Sequence, residues 1–594
     1  LSNAAAVTMP SSRTRTTGFS DSERAALDFA IDELGVGLKT WTHLTLGQRA
    51  RLVERLHDAV TGVAEEWADV AATSKGLEPG HPLRGEEWLA GPYAVLAALE
   101  AYRPTLLALA KGDSPLKGVK MDAAPGDRQR AHVFPLSPVD GLLLSGFTGE
   151  VWFQPGVTAA AARRSAGLAQ LDPTKPGGVG LVLGAGNVTS IPVLDVLYEL
   201  LASNRVTLLK VNPTQDALVP IFERALAPLI EPGFVRIVRG GGEVGEYLTG
   251  HRFIDHVHIT GAAATFDAIV WGPSSGKGAA ATARRRSEGR PKLKKPITAE
   301  LGGVSPIIIV PGRWTDADLR FHAEHVATMR LQNSGHNCIA GQVVIVSSEW
   351  PQREAFLEAL RTAYDAAPRR SVWYPRSDDK LAAAASDYPD AVWSVDRTRA
   401  LVEIGADGDA TALESTEYFS PVLGIVSLGG NGQEFLDAAV AHANEKLTGT
   451  LGANVLIDPV TQNALGDGFE RAMERLHYGT IAINAWTAFG YLTPTLAWGG
   501  FAGATLADVG SGIGVVHNAL LLDRVERSVV RGPFRPFPRS ASAAFGPGRF
   551  SVLPKPPWFL SSRTGSEVSE GFTRFRMHRN WVKLVGTLTQ AFRA

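Results

Sequence analysis

The sequence predicts an α/β protein of two large lobes, each built on a mostly parallel sheet covered by helices on both faces. Three observations predict it. The chain has 594 residues, and single cores stop growing at roughly 250–300 residues, so more than one is expected. Short apolar runs such as Gly180-Leu-Val-Leu-Gly and Val206-Thr-Leu-Leu-Lys recur between stretches of helical periodicity. These runs lack polar alternation, as befits strands buried on both faces.

Residues 20–110 are helical in pattern. Thr45-Leu-Gly-Gln-Arg opens a stretch in which Leu52, Leu56, Val60 and Val63 are spaced by three and four, one apolar stripe. Leu89, Tyr93, Leu96 and Leu99 continue it. The chain is mixed over 125–175, where Gly141-Leu-Leu-Leu-Ser reads as a short strand. Strands then follow at 180–184, 206–210, 234–238 and 256–260, with helices over 191–201 and 217–229 and a short one before the last strand. Residues 273–295 break the rhythm. Rich in Gly, Ser, Ala and basic residues, they read as a solvated loop, with Arg284-Arg-Arg as a secondary candidate for attracting phosphate. The alternation resumes with Pro306-Ile-Ile-Ile-Val, a helix over 316–331 and Gln342-Val-Val-Ile-Val, and runs to about residue 500. A segment rich in Pro, Arg and Phe fills 533–557, and a helix over 580–592 closes the chain.

Hydrophobic residues make up 45% of the chain and charged residues 20%, an ordinary globular balance. A net charge of −1 gives no electrostatic reason to expect nucleic acid or an anionic membrane as partner. No apolar stretch reaches the roughly 18 residues of a membrane span. A single cysteine excludes an intrachain disulfide, so folding needs no oxidising compartment. The residues before Met9 read as an artificial extension, and no basic-then-apolar leader follows. A soluble, cytoplasmic protein without a metal is expected.

That one cysteine, Cys338, lies in Asn333-Ser-Gly-His-Asn-Cys-Ile-Ala-Gly-Gln, between a predicted helix and a predicted strand. A lone cysteine is more often a small buried hydrophobe than a nucleophile. Here small and polar neighbours form a turn that can present a sulfur and aim backbone N–H groups at an oxyanion. Glu300, in Thr298-Ala-Glu-Leu-Gly-Gly-Val-Ser-Pro, stands beside two glycines before an apolar strand. Alone it is as well read as an ion-pair or capping residue. Next to a reactive thiol it could activate water.

Taken together, these two segments resemble the paired active-site signatures of the aldehyde dehydrogenase superfamily. Further pieces follow in that family's order over roughly 45–520. Gly184-Ala-Gly-Asn-Val-Thr-Ser-Ile-Pro is similar to the segment whose asparagine, here Asn187, stabilises the oxyanion. Leu208-Leu-Lys-Val-Asn-Pro resembles the strand whose lysine, here Lys210, meets the cofactor ribose. Gly240-Gly-Gly-Glu-Val-Gly and Ile259-Thr-Gly resemble the two cofactor turns, with Gly240, Gly245 and Gly261. The glycine run is weak by itself. Glu417-Tyr-Phe-Ser-Pro-Val resembles the element whose glutamate holds the nicotinamide ribose. Asn484 and the aromatic residues after it, Trp486, Phe489, Tyr491 and Trp498, resemble a substrate-tunnel wall and hint at an apolar or aromatic substrate.

The resemblance implies NAD(P)-dependent oxidation of an aldehyde to a carboxylic acid. Cys338 would add to the carbonyl, Asn187 and the Cys338 N–H would hold the oxyanion, and Glu300 would activate water to hydrolyse the thioester. It implies a Rossmann-type cofactor domain over 20–300, a catalytic domain over 301–495, and an oligomerisation element joining a hairpin near 130–170 to the chain after 495. A homodimer or homotetramer follows from that element. Three positions depart from the family pattern: His336 where Gln is frequent, Ala262 where Ser is usual, and Pro213 where NAD-preferring members often carry a glutamate. Without that carboxylate a 2′-phosphate meets less repulsion, so NADP stands beside NAD as cofactor. Two rival functions are weighed: a CoA-acylating dehydrogenase or acyl-group reductase using the same thioester, and a non-catalytic protein that keeps the fold.

Overall fold

The computed structural model describes residues 19–405 and 408–593, so the extension before Met9 lies outside the described residues. The chain opens on two long helices, Asp21–His43 and Leu46–Ser74. Each is closed at its start by a reciprocal capping box, Ser20 with Glu23 and Thr45 with Gln48, which satisfies backbone donors that a helix start leaves free. The stripe Leu52, Leu56, Val60 and Val63 is buried against the first sheet.

That sheet has six strands in the order Gly512–Ile513, Ile297–Leu301, His256–Gly261, Val179–Leu183, Val206–Lys210 and Val235–Val238. All neighbours are parallel except the first pair. The helix Ile191–Ser203 starts with Pro192 in its first turn and stops at Asn204, which adopts φ 52°.

The second sheet has eleven strands. Six parallel neighbours form its centre: Thr480–Ile483, Gly452–Leu456, Ser305–Ile309, Gly341–Ser347, Val422–Leu428 and Ala400–Glu403. Ser305–Ile309 and Gly341–Ser347 are buried at every position, which explains their unbroken apolar reading. On one side Val525–Arg531 joins this centre in parallel. The hairpin of Arg128–Phe134 and Thr148–Phe153 then extends it antiparallel, so the segment near 130–170 and the late chain share one sheet.

The structure corrects three local expectations. Residues 138–143, read in part as a strand, form the helix Pro138–Leu143, capped by Ser137 with Pro138 at its first position. The basic stretch 273–295 is not all loop: Ala279–Ser287 is helical, because its alanines have the highest helix propensity and three arginines sit at the negative end of the dipole. The helix expected over 217–229 is broken into Pro213–Leu218, Val219–Ala225 and Ala227–Ile230, each with a proline in its first turn.

The tail folds back on its own chain. Phe534 and Phe559 are buried, and Arg535 donates to both Asp318 carboxylate oxygens at 2.9 and 2.8 Å. The helix Gly565–His578 packs so closely on residue 85 that a Cβ on Gly85 would stand 2.6 Å from Ser566 Cα.

Candidate active site

Cys338 sits where the helix Asp316–Leu331 gives way to the strand Gly341–Ser347. The connection is tight. Asn333, Ser334 and Gly335 adopt φ of 53°, 55° and 71°, three successive residues in left-handed backbone, two of them not glycine. At the two residues that are not glycine such conformations cost about 1–3 kcal/mol each and persist where surrounding contacts overdetermine them. Those contacts are present. Asn333 Nδ2 donates to the Asn187 carbonyl at 3.1 Å and the His336 carbonyl at 3.2 Å, while Asn333 Oδ1 accepts from Lys75 Nζ at 3.2 Å.

His336 is buried behind the loop, and burial pushes its imidazole down to about 3, so the ring is neutral. Its Nδ1 therefore donates to the Phe419 carbonyl at 2.7 Å, and Nε2 faces the Trp373 N–H at 3.4 Å. The ring locks the loop to the segment that carries Glu417.

Asn187 reaches in from the turn before the helix Ile191–Ser203, and its Nδ2 donates to the His336 carbonyl at 2.9 Å. Glu300, on the strand Ile297–Leu301, places Oε1 3.1 Å from Cys338 Sγ, with the thiol donating. Its Oε2 is buried without a hydrogen-bond partner among the described residues. Burial pushes the Glu300 carboxyl up, and burial together with the Glu300 carboxylate pushes the Cys338 thiol well up. The Glu300 carboxylate disfavours charge on Cys338, whereas the hydrogen bond from the thiol favours charge on Glu300.

Two spaces meet at this pair, and Cys338 and Glu300 line both. The first is a groove along the carboxyl ends of the six-stranded sheet, walled by Asn187, Lys210, Gly261, Arg376, Lys380 and Glu417. Burial lowers the Lys210 ammonium, partly offset by Asp216. Glu417 is held up at about 7, chiefly by burial, and its Oε1 has no partner among the described residues. The two glycines after Glu300 now have reasons. A Cβ on Gly302 would stand 2.0 Å from Glu417 Oε1, and one on Gly303 would stand 2.8 Å from the Thr448 carbonyl.

The second space is a cavity on the far side of Cys338, walled by Leu89, Ile191, Trp486, Phe489, Tyr491, Trp498 and Trp558. One stretch of its wall is charged. Lys75 Nζ donates to Glu87 Oε1 at 2.8 Å and to the Asn187 carbonyl at 3.0 Å, and Glu86 lies beside it.

Most sequence-derived positions meet here, and some do not. Cys338, Glu300 and Asn187 converge, and Lys210, Gly261 and Glu417 line the groove. Gly240 and Gly245 lie at the start of the helix Gly242–Gly250, outside the groove wall. Asn484 is a correction: its amide pairs with the Ile457 backbone in both directions at 2.9 Å, away from the cavity. Its neighbours Trp486, Phe489, Tyr491 and Trp498 do line the cavity. Sequence reasoning missed Lys75, Glu86, Glu87, Arg376, Lys380 and Trp558. Only the adjacent pair Glu86-Glu87 within an apolar helical stretch offered a signal.

The aldehyde dehydrogenase family model matches residues 161–372. The chain is 24% identical over 452 residues to N-succinylglutamate 5-semialdehyde dehydrogenase of Chromobacterium violaceum, covering 72% of this chain and 76% of that one. Among solved structures, a gamma-glutamyl-gamma-aminobutyraldehyde dehydrogenase from Burkholderia cenocepacia superposes with a TM-score of 0.57 at 18% identity, covering 85% of this chain and 87% of that one. An NAD-dependent aldehyde dehydrogenase from Sinorhizobium meliloti gives 0.55 at 18% identity over 85% and 86%. An NADP-dependent enzyme from E. coli gives 0.55 at 17% over 86% and 90%.

Proposed function

We propose that this chain, which belongs to the aldehyde dehydrogenase superfamily, oxidises an aldehyde to a carboxylic acid through a thioester on Cys338. The observation that carries the reading is the 3.1 Å contact between Cys338 Sγ and Glu300 Oε1 at the junction of groove and cavity.

The groove fits a nicotinamide dinucleotide. It runs along the carboxyl ends of parallel strands, where such ligands bind. Glu417 Oε1 is an orphaned buried acceptor suited to a ribose hydroxyl, Lys210 is a donor for the other ribose, and Arg376 and Lys380 offer charge to the phosphates. NAD and NADP both remain candidates: Pro213 leaves the usual carboxylate position empty of charge, while Asp216 stands near enough to Lys210 to raise it. When bound, the cofactor accepts the hydride that the aldehyde carbon loses.

The remaining chemistry belongs to the chain. Cys338 Sγ gives its proton to solvent and, as a thiolate, bonds to the carbonyl carbon. A primary amide has two N–H donors, so Asn187 can hold the His336 carbonyl with one and the developing oxyanion with the other. The Cys338 N–H is the second donor, and such a contact is worth about 2.7–4 kcal/mol. Loss of hydride leaves a thioester. Glu300 takes a proton from water as the hydroxide attacks the acyl carbon. The C–S bond breaks, and the sulfur recovers a proton as the acid leaves.

Glu300→Gln tests this assignment. An amide cannot take a proton from water at neutral pH. Rapid mixing should give a burst of about one reduced nicotinamide per competent site, then very slow turnover, with the acyl group on Cys338 seen by intact mass. An unchanged steady-state rate with no trapped acyl-enzyme would return Glu300 to a structural role. Glu300 beside the sulfur favours hydrolysis over transfer to CoA, and rescue of the variant by added CoA would reverse that preference.

A further inference from the structure

After the helix Gly565–His578, Arg579 adopts φ 51° and turns the chain. Asn580 then caps the helix Trp581–Ala591 by accepting from the Lys583 N–H at 3.1 Å. Leu584, Thr587, Leu588 and Ala591 share one side of this helix at spacings of three and four, and all are buried or half-buried. The packing is close: a Cβ on Gly571 would stand 2.3 Å from Thr587 Oγ1. A surface helix is ordinarily polar opposite its packed side. This one carries Val582, Val585 and Gly586 there, with Trp581 at one end and Phe592 just past the other. The polar exception, Thr589, donates its hydroxyl to the Val585 carbonyl at 2.9 Å.

The apolar side chains are well out in solvent. Val582 is 84% exposed, Val585 65%, Phe592 55% and Trp581 53%. Trp581 stands edge-on to Phe575 at 5.0 Å between ring centroids, and Phe592 to Phe537 at 5.8 Å, so both rings are held as they face outward. Cations flank the face at both ends. The net charge of −1 is an average over the whole chain, and residues 571–594 depart from it with five Lys or Arg and no Asp or Glu. Arg574, Arg576 and Arg579 pair with Glu65, Asp140 and Glu100 of other elements. Lys583 and Arg593 are exposed and form no ion pair among the described residues.

We propose that the outer face of the helix Trp581–Ala591, with Phe592 and the flanking Lys583 and Arg593, docks on an anionic lipid surface. Valine, tryptophan and phenylalanine would enter the boundary between headgroups and acyl chains, and the cations would sit among anionic headgroups. Among the described residues no helix is long and apolar enough to cross a membrane, so the contact is with one leaflet. A second copy of this chain fits the face less well. A two-fold contact sets the same patch against itself, which brings the flanking cations of the two copies together. The proposal does not depend on the chemistry at Cys338.

The packed side of the same helix leads toward the cavity. Leu584 and Leu588 belong to one apolar cluster with Leu89, Leu492 and Trp558, three residues that also line the cavity beside Cys338. Docking would therefore hold an apolar cavity near the lipid, where apolar molecules collect.

The test measures co-sedimentation of the full chain with vesicles of phosphatidylcholine alone or with about 30 mol% phosphatidylserine. Wild type should bind the mixed vesicles at least about tenfold more tightly than phosphatidylcholine alone. The bound fraction should fall as salt rises from about 0.05 to about 0.5 M, because screening shortens the reach of the charges. Val582→Glu with Val585→Glu puts two carboxylates on the exposed face and should weaken binding to mixed vesicles by at least about tenfold, with the melting temperature unchanged. Lys583→Glu with Arg593→Glu should abolish the preference for phosphatidylserine, and it decides the matter if the valine variant does not fold. Wild type that leaves mixed vesicles unbound, binding indifferent to phosphatidylserine, or either variant binding as wild type does would overturn the proposal. So would light scattering that shows a dimer broken by the valine changes without any vesicle binding, which gives the face to a second copy.

Discussion

The groove and the cavity share Cys338 and Glu300, yet they are built from different parts of the chain. The groove wall comes mainly from the carboxyl ends of strands and the turns after them, such as those at Lys210 and Gly261, together with the segment around Arg376 and Lys380. The cavity wall gathers an N-terminal helix, the loop after Thr480–Ile483 and the tail residue Trp558. Both walls hold buried polar atoms without a partner among the described residues, but the groove carries accessible cations, whereas the cavity is largely apolar and keeps its charges paired. A site at strand ends depends on one sheet. A site closed by three distant segments depends on how they pack.

The junction should show the largest effect. Cys338→Ser should lower turnover by at least about 1000-fold with cofactor binding retained, since a hydroxyl is a poor nucleophile at its free pKa. Turnover near the wild-type rate, measured by reduced nicotinamide, would remove the sulfur from the chemistry and leave the comparison without its hinge.

Lys75→Met probes the cavity side. It leaves Glu87 buried without its cation and removes the donor to the Asn187 carbonyl. Breaking a buried pair costs about 3–5 kcal/mol, so chemical denaturation should show that loss. The double change Lys75→Met with Glu87→Leu should recover most of the stability but not the rate, because Asn187 stays unbraced. Full recovery of both would make the pair a packing feature only.

Pro213→Glu probes the groove side and should have the smallest effect. A carboxylate there would accept from the adenosine ribose hydroxyls and repel a 2′-phosphate. The ratio of kcat/KM for NAD over NADP should rise by roughly tenfold, a difference of about 1.4 kcal/mol, with stability unchanged. Unchanged kinetics with both cofactors would place the adenosine ribose elsewhere, with Asp216 as the next carboxylate to examine.

Many of the strands were legible because parallel strands announce themselves as unbroken apolar runs. The helix Asp316–Leu331 was read to the residue, since Thr315 and Asp318 form a capping box at its start. The expectation failed where local signals compete. Gly141-Leu-Leu-Leu-Ser is apolar enough for a strand, but Ser137 and Pro138 start a helix just before it. The stretch 273–295 is polar enough for a loop, yet its alanine run carries a helix.

By itself the sequence determined what depends on near neighbours: the alternation of strands and helices, the turn that carries Cys338, and the two glycines after Glu300. Only the tertiary structure decided that Lys75 braces Asn187 across 112 positions of sequence, that Trp558 closes the cavity, and that Asn484 faces Ile457 instead of the substrate side. It also gave meaning to the polar residues of His256-Val-His-Ile-Thr, which look anomalous in a buried strand until Asp195 and His517 stand beside them. The reason is the range of the forces. Periodicity and capping act within a few residues, whereas burial of a charge is decided by whichever distant groups arrive to pair it.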